Sequence, residues 1–219
     1  MIIIGYLTLV SLLGLFLFYS LIRVSGKFNF LIDRDILKPQ SFHGEPTSIT
    51  GGVFLFLFVS INSYLFTDFE NIERFILCCS LFFLLGLSDD LRILNNPILR
   101  LSIILFFSIF SIYILNLNLI NTNISFLDYL LSNYLFSIFF SALCVIFIIN
   151  GFNFIDGFNG LLSIHSLIIL LILFIIAINN SHYIEISGIS LILIISILGI
   201  VVFLFFNFPY GKVFLGDSG

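Results

Sequence analysis

Twelve Asp and Glu residues are spread over 219 positions, yet two of them are adjacent, in Ser88-Asp89-Asp90, at the end of an apolar run. Carboxylates at a helix C-terminus oppose the macrodipole. A neighbouring pair suits a hard cation such as Mg²⁺, or lets one acid act as a base with its pKa shifted by the other. The plain alternative is a solvated helix end at an interface. A second cluster is NGFNFIDGFNG, residues 150–160. Asn150, Asn153 and Asp156 are spaced by three, which on a helix puts them in one sector. Amides can read a base or sugar edge, and the Asp can meet a metal or a hydroxyl. Gly157 and Gly160 permit tight turning and close backbone approach. An ordinary capped turn accounts for the same residues equally well. A third acid stands among small residues in Gly216-Asp217-Ser218-Gly219, after Lys212 and Phe214. A fourth cluster, HGEPTSITGG, ends in Gly51-Gly52, whose backbone N–H groups could face a phosphate at a helix start. His43 reads as a solvated loop residue, His165 as a buried and satisfied one, and His182 as a loop residue without a role.

These clusters interrupt a chain that is 60% hydrophobic and 9% charged, with mean hydropathy +1.24. Soluble domains carry about 25% charged residues. The composition therefore predicts an all-α, polytopic integral membrane protein, a single transmembrane domain over 1–219. Apolar runs at 2–22, 49–67, 72–87, 98–118, 134–150, 161–179 and 188–207 give about seven transmembrane helices. The first lacks the basic start and the cleavage site of a signal peptide. Cys78, Cys79 and Cys144 read as small buried hydrophobes. No basic patch suits a nucleic acid.

Seven spans place Arg23, Lys27, Arg34, Lys38, Arg92, Arg100 and Lys212 on one side and Arg74 on the other. The positive-inside rule then puts the N-terminus outside and all four polar clusters on the cytoplasmic face. The loops around 68–73, 116–133 and 179–187 read as plain outside connectors. Acids, amides and glycines gathered at one face suggest a diphosphate–Mg²⁺ site, with one substrate from the cytoplasm and one from the lipid. A transporter is the rival reading, but transporter sites lie near the midplane with repeat symmetry, and neither feature is evident.

HGEPTSITGG, GLSDDL, NGFNFIDGFNGL and FNFPYGKVFLGDSG, in this order, resemble the motifs of the polyprenyl-phosphate N-acetylhexosamine-1-phosphate transferase family. The resemblance implies transfer of a sugar-1-phosphate from a UDP-N-acetylhexosamine to undecaprenyl phosphate. UMP would be released at the cytoplasmic face of a bacterial inner membrane, and a cell-envelope glycan begun. It implies Mg²⁺, with Mn²⁺ as an alternative, on Asp217 and Asp156. Asp89 and Asp90 would position or deprotonate the lipid phosphate. Asn150, Asn153, Asp156 and Asn159 would line the nucleotide-sugar site, Phe214 would stack on uracil, and Lys212 and Arg100 would counter phosphate charge. Ser48-Ile49 replace the family's Pro-Arg, and Asn159 leans toward the O-antigen-type branch, where lipopolysaccharide synthesis would be the pathway. The family continues beyond the position of Gly219 with further spans and a basic cytoplasmic loop. The chain is therefore expected to be incomplete relative to the family and to have little activity by itself. An inactive homologue or scaffold is the alternative, and the oligomeric state, a homodimer included, is open.

The topology has a direct check. In intact cells, a Ser88→Cys variant is expected to resist an impermeant thiol reagent and to react once the membrane is opened. Ready labelling from outside would overturn the assigned sidedness.

Overall fold

The computed structural model describes residues 2–28, 30–33, 46–94, 96–180 and 188–219. His43, Arg34, Lys38 and His182 lie outside them. Helices dominate because the apolar runs leave the backbone no partner but itself in lipid. They are α1 (Ile2–Phe28), α2 (Gly51–Phe66), α3 (Ile72–Asp90), α4 (Pro97–Leu115), α5 (Ser125–Leu131), α6 (Tyr134–Ile155), α7 (Leu161–Asn180) and α8 (Gly188–Asn207). Five of them, α1, α4, α6, α7 and α8, are long and apolar enough to cross a membrane. Two expected spans fall short of that standard. At 16 residues, α2 is about 24 Å long, below the roughly 30 Å of a bilayer core. The 19 residues of α3 include Glu73, Arg74, Asp89 and Asp90.

Two features depart from the expected pattern. Two short strands, β1 (Ile32–Asp33) and β2 (Thr47–Ser48), pair antiparallel just before α2, and Val213 bridges to Ser48. The connector around 116–133, read from sequence as plain, is ordered: it contains α5 and is tied down by side chains. Asp128 Oδ1 accepts from the Thr122 amide (2.7 Å) and hydroxyl (2.8 Å). Leu119 N donates to Ser141 Oγ at 2.8 Å.

The main core joins α1, α2 and α8 through Phe18, Phe54 and Phe203, all almost completely buried. Phe18 and Phe54 stack with ring centroids 4.3 Å apart. A second core of Leu85, Ile104 and Ile146 joins α3, α4 and α6. Buried Ser108, Ser111, Ser137 and Ser141 lie on α4 and α6, which pack together. Small residues of this kind let membrane helices approach closely. Cys78 is buried and Cys79 and Cys144 are half-buried, all three free thiols, in keeping with their reading as hydrophobes.

Alternation of the helices decides which ends meet. At one end Tyr6 of α1 packs on Phe66 of α2, centroids 4.0 Å apart. At the other end the close of α3, the start of α4, the close of α6 and the segment after α8 come together. Sharp boundaries set this up. Arg92 takes a left-handed φ of 57° just past α3. Asn96 then caps α4, its Oδ1 accepting from Ile98 N at 3.0 Å, and Pro97 begins the helix. A side-chain cap and an N-terminal proline are common helix starts. Arg100 is thereby placed one turn inside α4, beside the acids that close α3.

Candidate active site

The segment after α8 returns into the bundle rather than leaving it. Val213 is fully buried and Leu215 nearly so. Phe214 N donates to Ser48 O at 2.8 Å, Gly51 N to Phe214 O at 3.0 Å and Gly52 N to Leu215 O at 2.8 Å. The Gly51 and Gly52 amides are thus spent on protein carbonyls. The expectation that they face a phosphate is corrected: an orphan helix-start N–H takes whichever acceptor is nearest, and here a packed strand-like segment supplies it.

This return puts Asp217 among side chains from three helices. Arg100 Nη2 donates to Asp217 Oδ1 at 3.2 Å, and Asn153 Nδ2 donates to the same oxygen at 2.9 Å. Arg100 Nε lies 2.8 Å from Asp89 Oδ2. The Asp89 side chain is only 7% exposed. Neither of its oxygens has a hydrogen-bond partner among the described residues, because the contact with Arg100 is an ion pair that lacks hydrogen-bond alignment. A buried carboxylate that is paired but not hydrogen-bonded is costly, and it favours any ligand that completes its shell.

Asp89, Arg100, Asn153, Asp156 and Asp217 line one cavity of about 520 Å³. Most of its remaining wall is apolar, with Phe56, Phe82, Phe83, Ile104 and Ile149 among the contributors, interrupted by serines such as Ser60, Ser63 and Ser163. Gly52, Gly216, Ser218 and Gly219 of the sequence clusters also line it, and the other sequence-predicted residues do not. Asn150 turns back on its own helix, its Nδ2 donating to Ile146 O at 2.9 Å. Asn159 Nδ2 donates to Pro209 O at 3.3 Å. Lys212 is exposed and Phe214 half-buried, both outside the cavity wall. His165 is exposed and edge-on to Phe152, so its reading as a buried histidine is corrected. Asp90 faces away from the cavity and toward backbone.

One positioning residue escaped the sequence reading. Asn207, the last residue of α8, is 5% exposed. Its Oδ1 accepts from Gly160 N at 2.6 Å and its Nδ2 donates to Val213 O at 2.8 Å. It ties the turn after α6 to the segment that carries Asp217. The signal was visible: an Asn in an apolar helix end, FFNF, must find partners in a dry setting.

The donor set suits a hard cation only in part. Carboxylate oxygens are the right ligands, yet no group of three or more His, Cys, Asp or Glu side chains is arranged to hold a metal among the described residues. Mg²⁺ is commonly held by one or two carboxylates together with substrate phosphates. The orphaned Asp89 oxygens and the nearby Asp217 and Asp156 fit that shared mode and not an all-protein cage.

A family model described as glycosyl transferase family 4 matches residues 73–219. The chain is similar to the phospho-N-acetylmuramoyl-pentapeptide-transferase of Campylobacter lari, at 32% identity across 83% of this chain and 58% of that protein. It is also similar to a probable undecaprenyl-phosphate N-acetylglucosaminyl 1-phosphate transferase of Bacillus subtilis, at 38% identity across 36% of this chain and 21% of that protein. It spans less than two thirds of the length of either relative.

Asp156, at the close of α6, titrates unusually. Its side chain reaches the open cavity, but protein crowds it. Burial first, and the charge of Asp217 second, push its carboxyl up to about 6. A raised carboxyl pKa means the folded state holds the proton where the unfolded chain has released it, so stability falls as pH rises from about 4 through 6. In EDTA, the Tm of the wild type is expected to drop between about pH 4 and pH 6, and Asp156→Asn to flatten that drop. Identical pH profiles for the two proteins would show that Asp156 carries no such shift.

Proposed function

The chain belongs to glycosyl transferase family 4, a multi-pass membrane protein, and from that premise we propose that it transfers a sugar-1-phosphate of the N-acetylhexosamine type from a UDP-sugar to undecaprenyl phosphate. The observation that carries the reading is the cavity with two chemistries. Its mostly apolar wall suits a polyprenyl chain, and its charged end offers Asp89, whose buried oxygens have no hydrogen-bond partner among the described residues, beside Arg100, Asn153 and Asp217.

In this reading an oxygen of the lipid phosphate attacks the phosphorus that bears the sugar. A new P–O bond forms, the P–O bond between the two phosphates breaks, and UMP leaves with the bridging oxygen. The nucleophile is already ionised near neutral pH, so placing it matters more than deprotonating it. Arg100 is placed to meet phosphate charge, since a guanidinium forks onto phosphate oxygens. Asn153 orients Asp217 by donating to it. Mg²⁺ or Mn²⁺, held by Asp217 with Asp156 nearby, would offset charge on the diphosphate. Asp89, ion-paired to Arg100, holds the guanidinium where it meets the acceptor phosphate.

The sidedness rests on charge. Arg23, Lys27, Arg92, Arg100 and Lys212 sit at the site end of the bundle and Arg74 at the other, which supports a cytoplasmic site in a bacterial inner membrane. Asn159 supports the O-antigen-type branch only weakly as a ligand, because its amide is used on Pro209.

The test is UMP release from UDP-N-acetylglucosamine with undecaprenyl phosphate, using the complete protein with Mg²⁺. Arg100→Ala removes a charge-assisted contact worth about 1.5–3 kcal/mol, which corresponds to a loss of roughly 10- to 100-fold in kcat/KM. Asp89→Asn is expected to cost at least as much. Wild-type rates in both variants would remove this cavity from the reaction.

A further inference from the structure

The adjacent acids that close α3 face in different directions. Asp89 looks into the cavity. Asp90 does not line it; its carboxylate meets the backbone of the turn that carries Asp217. We propose that Asp90 is a positioning residue, which grips the 216–218 turn through two consecutive amides so that the Asp217 side chain faces Arg100 and Asn153.

The grip is bidentate. Asp217 N donates to Asp90 Oδ1 at 2.8 Å and Ser218 N donates to Asp90 Oδ2 at 3.0 Å. One planar carboxylate that accepts from two successive N–H groups fixes the orientation of both peptides, and hence the direction of the side chain between them. Hydrogen bonds to a charged acceptor are the stronger kind. The turn also has no slack. Gly216 has φ +75°, and a Cβ built there would lie 2.7 Å from Asp90 Oδ2. A Cβ at Gly86, one turn before Asp90, would collide with the Asp217 carbonyl, and one at Gly52 would collide with the backbone of Gly219 and Ser218. Three glycines from three parts of the chain are therefore needed for the turn to sit against α2 and α3. Asp90 supplies the polar half of that seat. Arg100 and Asn153 hold the opposite side of Asp217 at its Oδ1, so the residue is oriented from its backbone and from its carboxylate at once.

The pair therefore divides its work. Asp89 meets what enters the cavity, and Asp90 presents Asp217 to it. Only the consequence for turnover rests on the transferase reading; the grip itself does not.

Hydrogen–deuterium exchange on the complete protein in lipid nanodiscs separates the two. Asp90→Asn puts an amide NH₂ against a backbone N–H, so peptides covering 213–219 should exchange at least about tenfold faster, with α6 and α8 unchanged. Asp89→Asn should leave those peptides as in wild type. If Asp90→Asn unfolds the protein throughout, Gly216→Ala decides: it leaves the carboxylate intact, drives a methyl against it, and should produce the same local acceleration. Unchanged exchange at 213–219 in Asp90→Asn, or in Gly216→Ala, overturns the proposal. In the UMP-release assay, Asp90→Asn should raise the donor KM more than it lowers kcat, and Asp89→Asn the reverse; a matching kcat loss in both with unaltered KM also overturns it. Absence of UMP release from the wild type itself would defeat the transferase reading and leave the exchange result standing.

Discussion

Arg100 touches two of the acids that line the cavity, the buried Asp89 and the more exposed Asp217. It bridges Asp89 on α3 and Asp217 on the segment after α8 from its own place one turn into α4. The interaction is not a surface salt bridge of small worth. The Asp89 side chain is 7% exposed, and a carboxylate that deep cannot stay ionised without a counter-charge. The geometry of the site follows from that need. The sharp end of α3, the left-handed Arg92 and the Asn96–Pro97 helix start place the guanidinium within reach. Removing it would leave two like charges facing each other across a low-dielectric cavity.

The second constraint is the path of the chain after α8. The segment does not hang in water at the membrane surface. It pairs with β2, satisfies the first amides of α2 and buries Val213 and Leu215 in the α1–α2–α8 core. Asn207 links the same segment to the turn that follows α6. Residues more than 120 positions apart in sequence thereby meet in one cavity, and the amide of Asn153 reaches Asp217 only because this return has been made. Most of these ties are buried backbone polar groups finding partners, so the geometry of the site and the polar satisfaction of the helix ends are the same structure.

Much of this is legible in the sequence. Apolar runs placed the helices α1–α4 and α6–α8 to within about six residues at each end, five of them long and apolar enough to span, because the hydrophobic pattern dominates in lipid. The gathering of Asp89, Asp156 and Asp217 at one end was legible from helix parity. Other features were not. Whether Asp89 or Asp90 faces the cavity depends on rotation at a helix end, and adjacent residues there differ by about 100° around the axis. The use of the Gly51 and Gly52 amides depends on a segment more than 160 residues away. The short α5 hides in a connector whose order comes from Asp128 and two serines, side-chain contacts that periodicity does not register. Two spans that the sequence counted, α2 and α3, are respectively too short and too charged at their ends to match the other five, and a hydropathy window averages over such ends.

The central claim is that the two-chemistry cavity receives the lipid phosphate, with its head beside Asp89 and Arg100 and its chain along the apolar wall. Photolabelling with a polyprenyl phosphate bearing a diazirine in its first isoprene unit tests this most directly, followed by mass-spectrometric mapping of the adducts. The account predicts label on cavity-wall residues such as Phe82, Phe83 and Ile149, competed away by undecaprenyl phosphate and weakened by Arg100→Ala. Label confined to outward-facing positions such as Phe16 on α1 or Ile172 and Ile175 on α7, and unaffected by competitor, would contradict it.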